Sequence, residues 1–235
     1  MNMKFGITQA FDCSYLDNQQ EQLLVFVGES NQCSASQYNL LLDAGFRRSG
    51  DQVYRPHCAN CNACHSIRVI SNQFTPSKSQ RRIINKNQDI QVFTSTTDKP
   101  EYFPIYQSYI NQRHQNGSMF PASRHQYDGF INCDWLDSLF IEFYHDDKLI
   151  GVAVTDVLPD ALSALYTFFL PEYEHRSLGI YAIIQQIEQA KQQNKPFLYL
   201  GYQIDACQKM RYKANFYPHQ RFINLKWQLI SKKTR

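Results

Sequence analysis

The chain has 235 residues, a formal net charge of +3, 43% hydrophobic and 14% aromatic residues. This composition excludes a disordered chain, which would lack so many Tyr and Phe, and the length suits one large domain or two small ones. The charge is too small to announce a nucleic-acid partner, so any such case rests on local clusters.

The stretch up to Leu16 has no apolar segment ending in a small-residue cleavage site, and no apolar run reaches membrane-spanning length. The chain reads as cytoplasmic, with no membrane partner. Its seven cysteines are an odd number and would stay reduced there. They are free, metal-bound or catalytic.

Residues 23–28, "LLVFVG", read as a strand. Ser34 or Ser36 can cap a short helix that stops at Gly45. Residues 47–56 read as a hairpin turning at Ser49-Gly50-Asp51. Directly after it stand Cys58, Cys61 and Cys64, with His57 and His65 as spare ligands. Three ligands do not complete a tetrahedral site. Uninterrupted x2 gaps favour a loop around a cluster over two zinc knuckles. The plain alternative is three reduced thiols packed in a turn.

Thr75 as N-cap and Pro76 at the first helical position predict a helix through the following basic stretch. Lys78, Arg81, Arg82 and Lys86 fall on one side of it with no acidic residue among them. Such a face can bind phosphates, or it is a solvated basic helix. Further helices are expected over 101–115 and, with a weaker pattern, 123–133. The segment between them contains Asn-Gly and Pro and reads as a loop.

In the second half, two strands flank the turn Asp146-Asp147-Lys148, and a third ends at Pro171. Ile180, Ile183, Ile184, Ile187 and Ala190 recur at helical spacing, and "FLYLGY" is a further strand. The order strand–strand–strand–loop–helix–strand resembles the core of the N-acetyltransferase fold, whose loop holds an anionic donor near backbone N–H groups. Here that loop carries Gly179 without a Gly-x-Gly signature. The expected architecture is α/β: an N-acetyltransferase-like mixed sheet with helices over 101–235, preceded by a smaller cysteine-containing α/β domain over 1–100. The tail "SKKTR" reads as a solvated terminus.

Five separated stretches resemble one family. "CSYL" from Cys13, "YRPHCANCNAC" from Tyr54, "FTPSKSQRR" from Phe74, "HRSLGIYAIIQQI" from His175 and "YLGYQIDACQKMRYKANFYP" from Tyr199 are similar to the bacterial aspartate/glutamate leucyltransferases, relatives of the eukaryotic arginyl-tRNA–protein transferases. The resemblance covers nearly the whole chain. One departure is Gln208, where the eukaryotic branch often has Pro. Another is the single cysteine, Cys13, where those relatives have a pair. The resemblance implies transfer of leucine from leucyl-tRNA to proteins beginning with Asp or Glu, which creates a degradation signal. It also makes Cys13 the fourth ligand with Cys58, Cys61 and Cys64 for zinc or an iron–sulfur cluster.

That reaction is aminolysis of an ester already activated, so it needs no enzymic nucleophile, and no Ser-His-Asp or Cys-His signature is found. It needs no cofactor. It needs positioning, a proton acceptor and donors for the developing oxyanion. Lys78, Arg81, Arg82, Lys86, Lys209 and Lys213 are the candidate tRNA contacts. Arg55, Arg68 and Arg176 are candidates for the acidic side chain of the acceptor, because a guanidinium pairs bidentately with a carboxylate. Each could equally be a structural ion-pair partner. Asp205 and Tyr202 at the end of a strand, with Tyr166 on its neighbour, are the candidate catalytic group. Two other readings compete: an acyl-CoA-dependent N-acetyltransferase, against which the missing Gly-x-Gly counts, and a non-catalytic metal-containing tRNA-binding protein.

Overall fold

The computed structural model describes residues 3–28 and 33–231, so the tail from Lys232 to Arg235 lies outside the described residues. From the N-terminus come β1 (Lys4–Ile7), the small hairpin β2 (Phe11–Asp12) and β3 (Gln20–Glu21), β4 (Leu23–Val27), α1 (Ala35–Asp43), β5 (Arg47–Ser49) and β6 (Gln52–Pro56). After the cysteine loop follow β7 (His65–Ile70), α2 (Lys78–Lys86), β8 (Gln91–Ser95), α3 (Tyr102–Arg113) and α4 (Arg124–Ile131). The rest is β9 (Ser138–His145), β10 (Lys148–Val157), β11 (Ala161–Phe169), α5 (Leu178–Gln192), β12 (Phe197–Gln203), β13 (His219–Ile223) and β14 (Lys226–Ile230).

Two helices start on the same device. Ser34 opens α1, and its hydroxyl accepts from the Gln37 N–H while Gln37 accepts from the Ser34 N–H. Ser77 and Gln80 repeat this at α2. The start of α2 is therefore Ser77 and not Thr75. The Ser-x-x-Gln spacing satisfies two otherwise orphaned donors reciprocally, which a cap at Thr75 would not do.

β1, β4, β6 and β5 form an antiparallel sheet in the order β1-β4-β6-β5. The main sheet has eight strands in the order β14-β13-β7-β12-β11-β10-β9-β8. It is mixed, and β7, α2 and β8 from the first hundred residues are built into it or packed on it. Its strands β9 to β11 are buried on both faces because helices cover both. On one face, Ile183, Ile184, Ile187 and Ala190 of α5 pack on Ile67, Val69, Leu162, Leu198 and Leu200, with Ile84 of α2 beside them. On the other, α3 and α4 place Tyr102, Tyr106, Ile110 and Tyr127 on Phe140, Val152 and Phe168. There α1 adds Tyr38 and Leu41 beside Tyr199. Among the described residues no helix is long and apolar enough to cross a membrane.

The single parallel pair in this sheet is β11 with β12, joined by α5 as its crossover. It is paired only from Ala161↔Phe197 to Ser163↔Tyr199. Past that point the strands part. Gly201 has φ +81°, a conformation that a side chain disfavours, and β12 shifts its register against β7 between Tyr199 and Tyr202. This split positions the site.

Candidate active site

Arg47 reaches from β5 into the split. Its guanidinium donates to Ser163 Oγ (3.0 Å) and to the Ala164 carbonyl (2.6 Å), both on β11. A Cβ on Gly201 would stand 3.5 Å from that guanidinium, so the glycine lets β12 pass close to it. Lys213 approaches from the turn after β12, and its Nζ donates to the Tyr202 carbonyl at 2.9 Å. Burial, and then the charge of Arg47, pull the Lys213 ammonium down to about 7. A cation is costly to bury beside another. The neutral amine is favoured instead.

The three residues expected to be catalytic lie around this split. Tyr202 is buried, and its hydroxyl donates to the carbonyls of Gly45 (3.2 Å) and Tyr54 (3.3 Å). Burial drives its pKa well above the ordinary phenol value, so no phenolate forms near neutral pH. Tyr166, across the split on β11, stands among Tyr106, Tyr109, Phe130 and Phe168. Burial raises its pKa as well. Asp205 is already engaged: both carboxylate oxygens accept from Arg221, at 3.0 and 2.9 Å, and the carboxyl is held below its ordinary range by that pairing. A carboxylate so stabilised is a poor proton acceptor.

Next to Tyr202 opens a cleft of about 270 Å³, lined among others by Arg55, Cys58, Cys61, Cys64, His65 and Tyr202. Of the three arginines named for a carboxylate, only Arg55 lines it and has no acidic partner among the described residues. It donates to the Ala44 carbonyl (3.0 Å) and lies over Phe46. Arg68 donates to Asp43, Gln220 and Tyr199 and is stacked on Phe197 and Trp227. Arg176 is paired bidentately with Asp89, just past the C-terminal end of α2, at 2.8 and 2.9 Å.

Cys58, Cys61 and Cys64 wall the same cleft. Cys58, Cys61 and Cys13 all lie close enough to Cys64 for their charges to be felt. Burial first, then Cys58 and Glu21, push the Cys64 thiol up to about 12. The chemistry of four gathered thiols suits a soft cation, which would offset the mutual repulsion of thiolates. Among the described residues, however, no three His, Cys, Asp or Glu side chains converge as ligands around one point. Glu21 was not foreseen near this group. Nothing in its local sequence distinguishes it, because it arrives through the β2–β3 hairpin.

Lys78, Arg81, Arg82 and Lys86 are exposed along α2. Arg81 donates to the Pro76 carbonyl and Lys86 to the His175 carbonyl, and none of the four has a carboxylate partner among the described residues. The helix adjoins the split. Gln80 donates to the carbonyl of Asn215, two residues past Lys213, and Phe74 lies against Phe216. Lys209 is exposed in the turn after β12, where its charge is felt by His114 at the end of α3.

Two family models match the chain in tandem, "Arginine-tRNA-protein transferase, N terminus" over residues 11–82 and "Arginine-tRNA-protein transferase, C terminus" over residues 101–223. This is the class of aminoacyltransferases that act from a charged tRNA onto a protein. The chain belongs to the arginine-tRNA-protein transferase family. A curated relative from Pseudoalteromonas atlantica (strain T6c), named aspartate/glutamate leucyltransferase, is 58% identical over 98% of this chain and 99% of its own. Relatives of the same name from Aeromonas salmonicida and Shewanella putrefaciens are 51% and 48% identical, over 98% and 95% of this chain and 97% and 94% of theirs.

Proposed function

We propose that this cytoplasmic enzyme moves leucine from leucyl-tRNA to the α-amino group of proteins beginning with Asp or Glu, creating a degradation signal. The observation that carries this reading is end-to-end identity of 46–58% with relatives named aspartate/glutamate leucyltransferase. The chemistry agrees with it. A terminal α-amine has a pKa of about 7.7 to 8.0, so a useful fraction is neutral near physiological pH. It attacks the ester carbonyl, and the ribose oxygen leaves. Holding the two reactants together supplies much of the rate.

In this reading the acceptor enters the cleft beside Tyr202, and its acidic side chain pairs with Arg55. The exposed cations of α2, with Lys209, track the tRNA backbone toward the split. Tyr166 and Tyr202 are walls that orient the reacting ends. Asp205 fixes Arg221 and the turn after β12. Zinc or an iron–sulfur cluster on Cys13, Cys58, Cys61 and Cys64 would tie the β2–β3 hairpin to the cleft and takes part in no step. Metal analysis of anaerobically purified protein measures it.

The test is transfer of radiolabelled leucine and arginine from their tRNAs onto peptides beginning with Asp, Glu or Ala. The expected result is leucine on the Asp and Glu peptides and little on Ala. Equal labelling of all three, or labelling from arginyl-tRNA alone, would overturn the reading.

A further inference from the structure

Once Asp205 is committed to Arg221 and Tyr202 and Tyr166 are kept as neutral phenols, the reaction still lacks a proton acceptor. Arg47 is spent on Ser163 and Ala164, and a guanidinium does not give up its proton. Two groups able to accept remain, His65 in the cleft wall and Lys213, and Lys213 is the one held where β11 and β12 part. It is also a residue that its surroundings treat unlike any other lysine among the described residues.

Resting on the leucyl-transfer reading above, we propose that Lys213 is the proton acceptor of the reaction: its Nζ, held against the Tyr202 carbonyl where β11 and β12 part, takes the proton the incoming α-amine loses. The hydrogen bond to that carbonyl is part of the device. A neutral amine that donates one N–H to a fixed carbonyl has its lone pair aimed away from it. Lys213 as a whole residue is half-buried.

The step balances. The acceptor nitrogen forms a bond to the ester carbonyl carbon, and its extra proton passes to Lys213 Nζ. The carbon–oxygen bond to the ribose then breaks, and the ammonium of Lys213 returns the proton to the departing hydroxyl. The lysine ends as it began.

The groups facing the amine set its protonation. They are Arg47 from β5, the Tyr202 carbonyl from β12 and Cys207 from the turn that follows. Burial and the Arg47 charge favour the neutral amine, and Cys207 acts weakly the other way. An ammonium with a pKa of about 7 divides its time between the two forms near neutral pH, as a group that both accepts and returns a proton must. The acceptor is in its working form above that value, so activity rises as pH climbs through it and falls away below. This role departs from a phosphate contact for Lys213, which would need the cation.

The experiment compares wild type, Lys213→Arg and Lys213→Met, using leucyl-tRNA and an Asp-initial peptide in single-turnover transfer across pH. Leucyl-tRNA affinity and circular dichroism are measured alongside. Lys213→Arg keeps the charge and the donor but cannot accept a proton. We expect it to keep its tRNA affinity and lose roughly 10²–10⁴-fold in transfer rate, the range for general acid–base groups. Lys213→Met should lose as much. In wild type labelled at the lysine ¹³Cε, one resonance should titrate near 7 and vanish in Lys213→Arg. Transfer by Lys213→Arg within a few-fold of wild type, or a loss confined to tRNA affinity, overturns the proposal. So does the absence of any lysine titrating in that region, a readout that stands even if a variant misfolds. A wild type that transfers no leucine overturns the functional reading itself.

Discussion

A guanidinium can select a carboxylate only with donors that the fold has not already engaged. Arg68 and Arg176 are held by Asp43 and Asp89, whereas Arg55 has, among the described residues, the Ala44 carbonyl and the ring of Phe46 but no carboxylate. A charge-assisted hydrogen bond contributes about 1.5–3 kcal/mol. Arg55→Ala should therefore lower kcat/KM for Asp- and Glu-initial peptides by roughly 10- to 100-fold while leaving tRNA affinity unchanged. An Ala-initial peptide, with nothing for Arg55 to hold, should change little. If all three peptides fell equally, Arg55 would be serving the fold. The three arginines were legible as a set from residue type alone. The choice among them was not, because it depends on Asp43 and Asp89, which come from other elements. Lys213 is the sharper case. Its one-dimensional context, between Tyr212 and Ala214, reads as a basic turn. Only its burial after β12, with Arg47 arriving beside it, makes its amine unusual.

At the scale of elements, the periodic segments were legible and the ones defined by pairing were not. The isoleucines of α5 lie against the sheet as their spacing requires, and β9 and β10 turn at Asp146 and Asp147, both with positive φ. β7 escaped notice. His65–Ile70 follows the cysteine loop with polar residues at His65, Ser66 and Arg68, yet Ser66 and Arg68 are buried along with Ile67 and Val69. Its central position between β12 and β13 comes from long-range pairing, which no local pattern carries. For α2 the prediction follows from exposed charge. Replacing Lys78, Arg81 and Arg82 with Gln removes cations that no carboxylate among the described residues neutralises. Tight binding of the tRNA should then weaken, and the slope of log affinity against log salt should fall by roughly 0.7–0.9 for each phosphate that is no longer neutralised. Transfer at saturating tRNA should stay near wild type. Ser77 and Gln80 are left in place, so the helix itself is kept. An unchanged salt slope would make α2 an ordinary solvated face.

The whole molecule is bound together by the sheet that carries the split. β7 pairs with β12 on one side and β13 on the other, and Ile67 and Val69 belong to the same core as Leu162, Leu198 and Phe216. A further tie is Arg48 of β5, which donates to Asp156 of β10 with both side chains fully buried. Cutting at residue 100 would remove the strand between β12 and β13, uncover the apolar face under α2 and strip a buried carboxylate of its cation. The last alone costs about 3–5 kcal/mol, against a total stability of about 5–15 kcal/mol for a typical domain. Residues 101–235 expressed alone should therefore be aggregated, or unfolded by circular dichroism, and residues 1–100 co-expressed with them should restore a soluble complex. The site requires the same union, since Arg47 and Arg55 come from one half and Lys213 and Tyr202 from the other. A fragment 101–235 that gave a cooperative thermal transition by itself would mean that the split sheet closes without β7, and that the first hundred residues only decorate it.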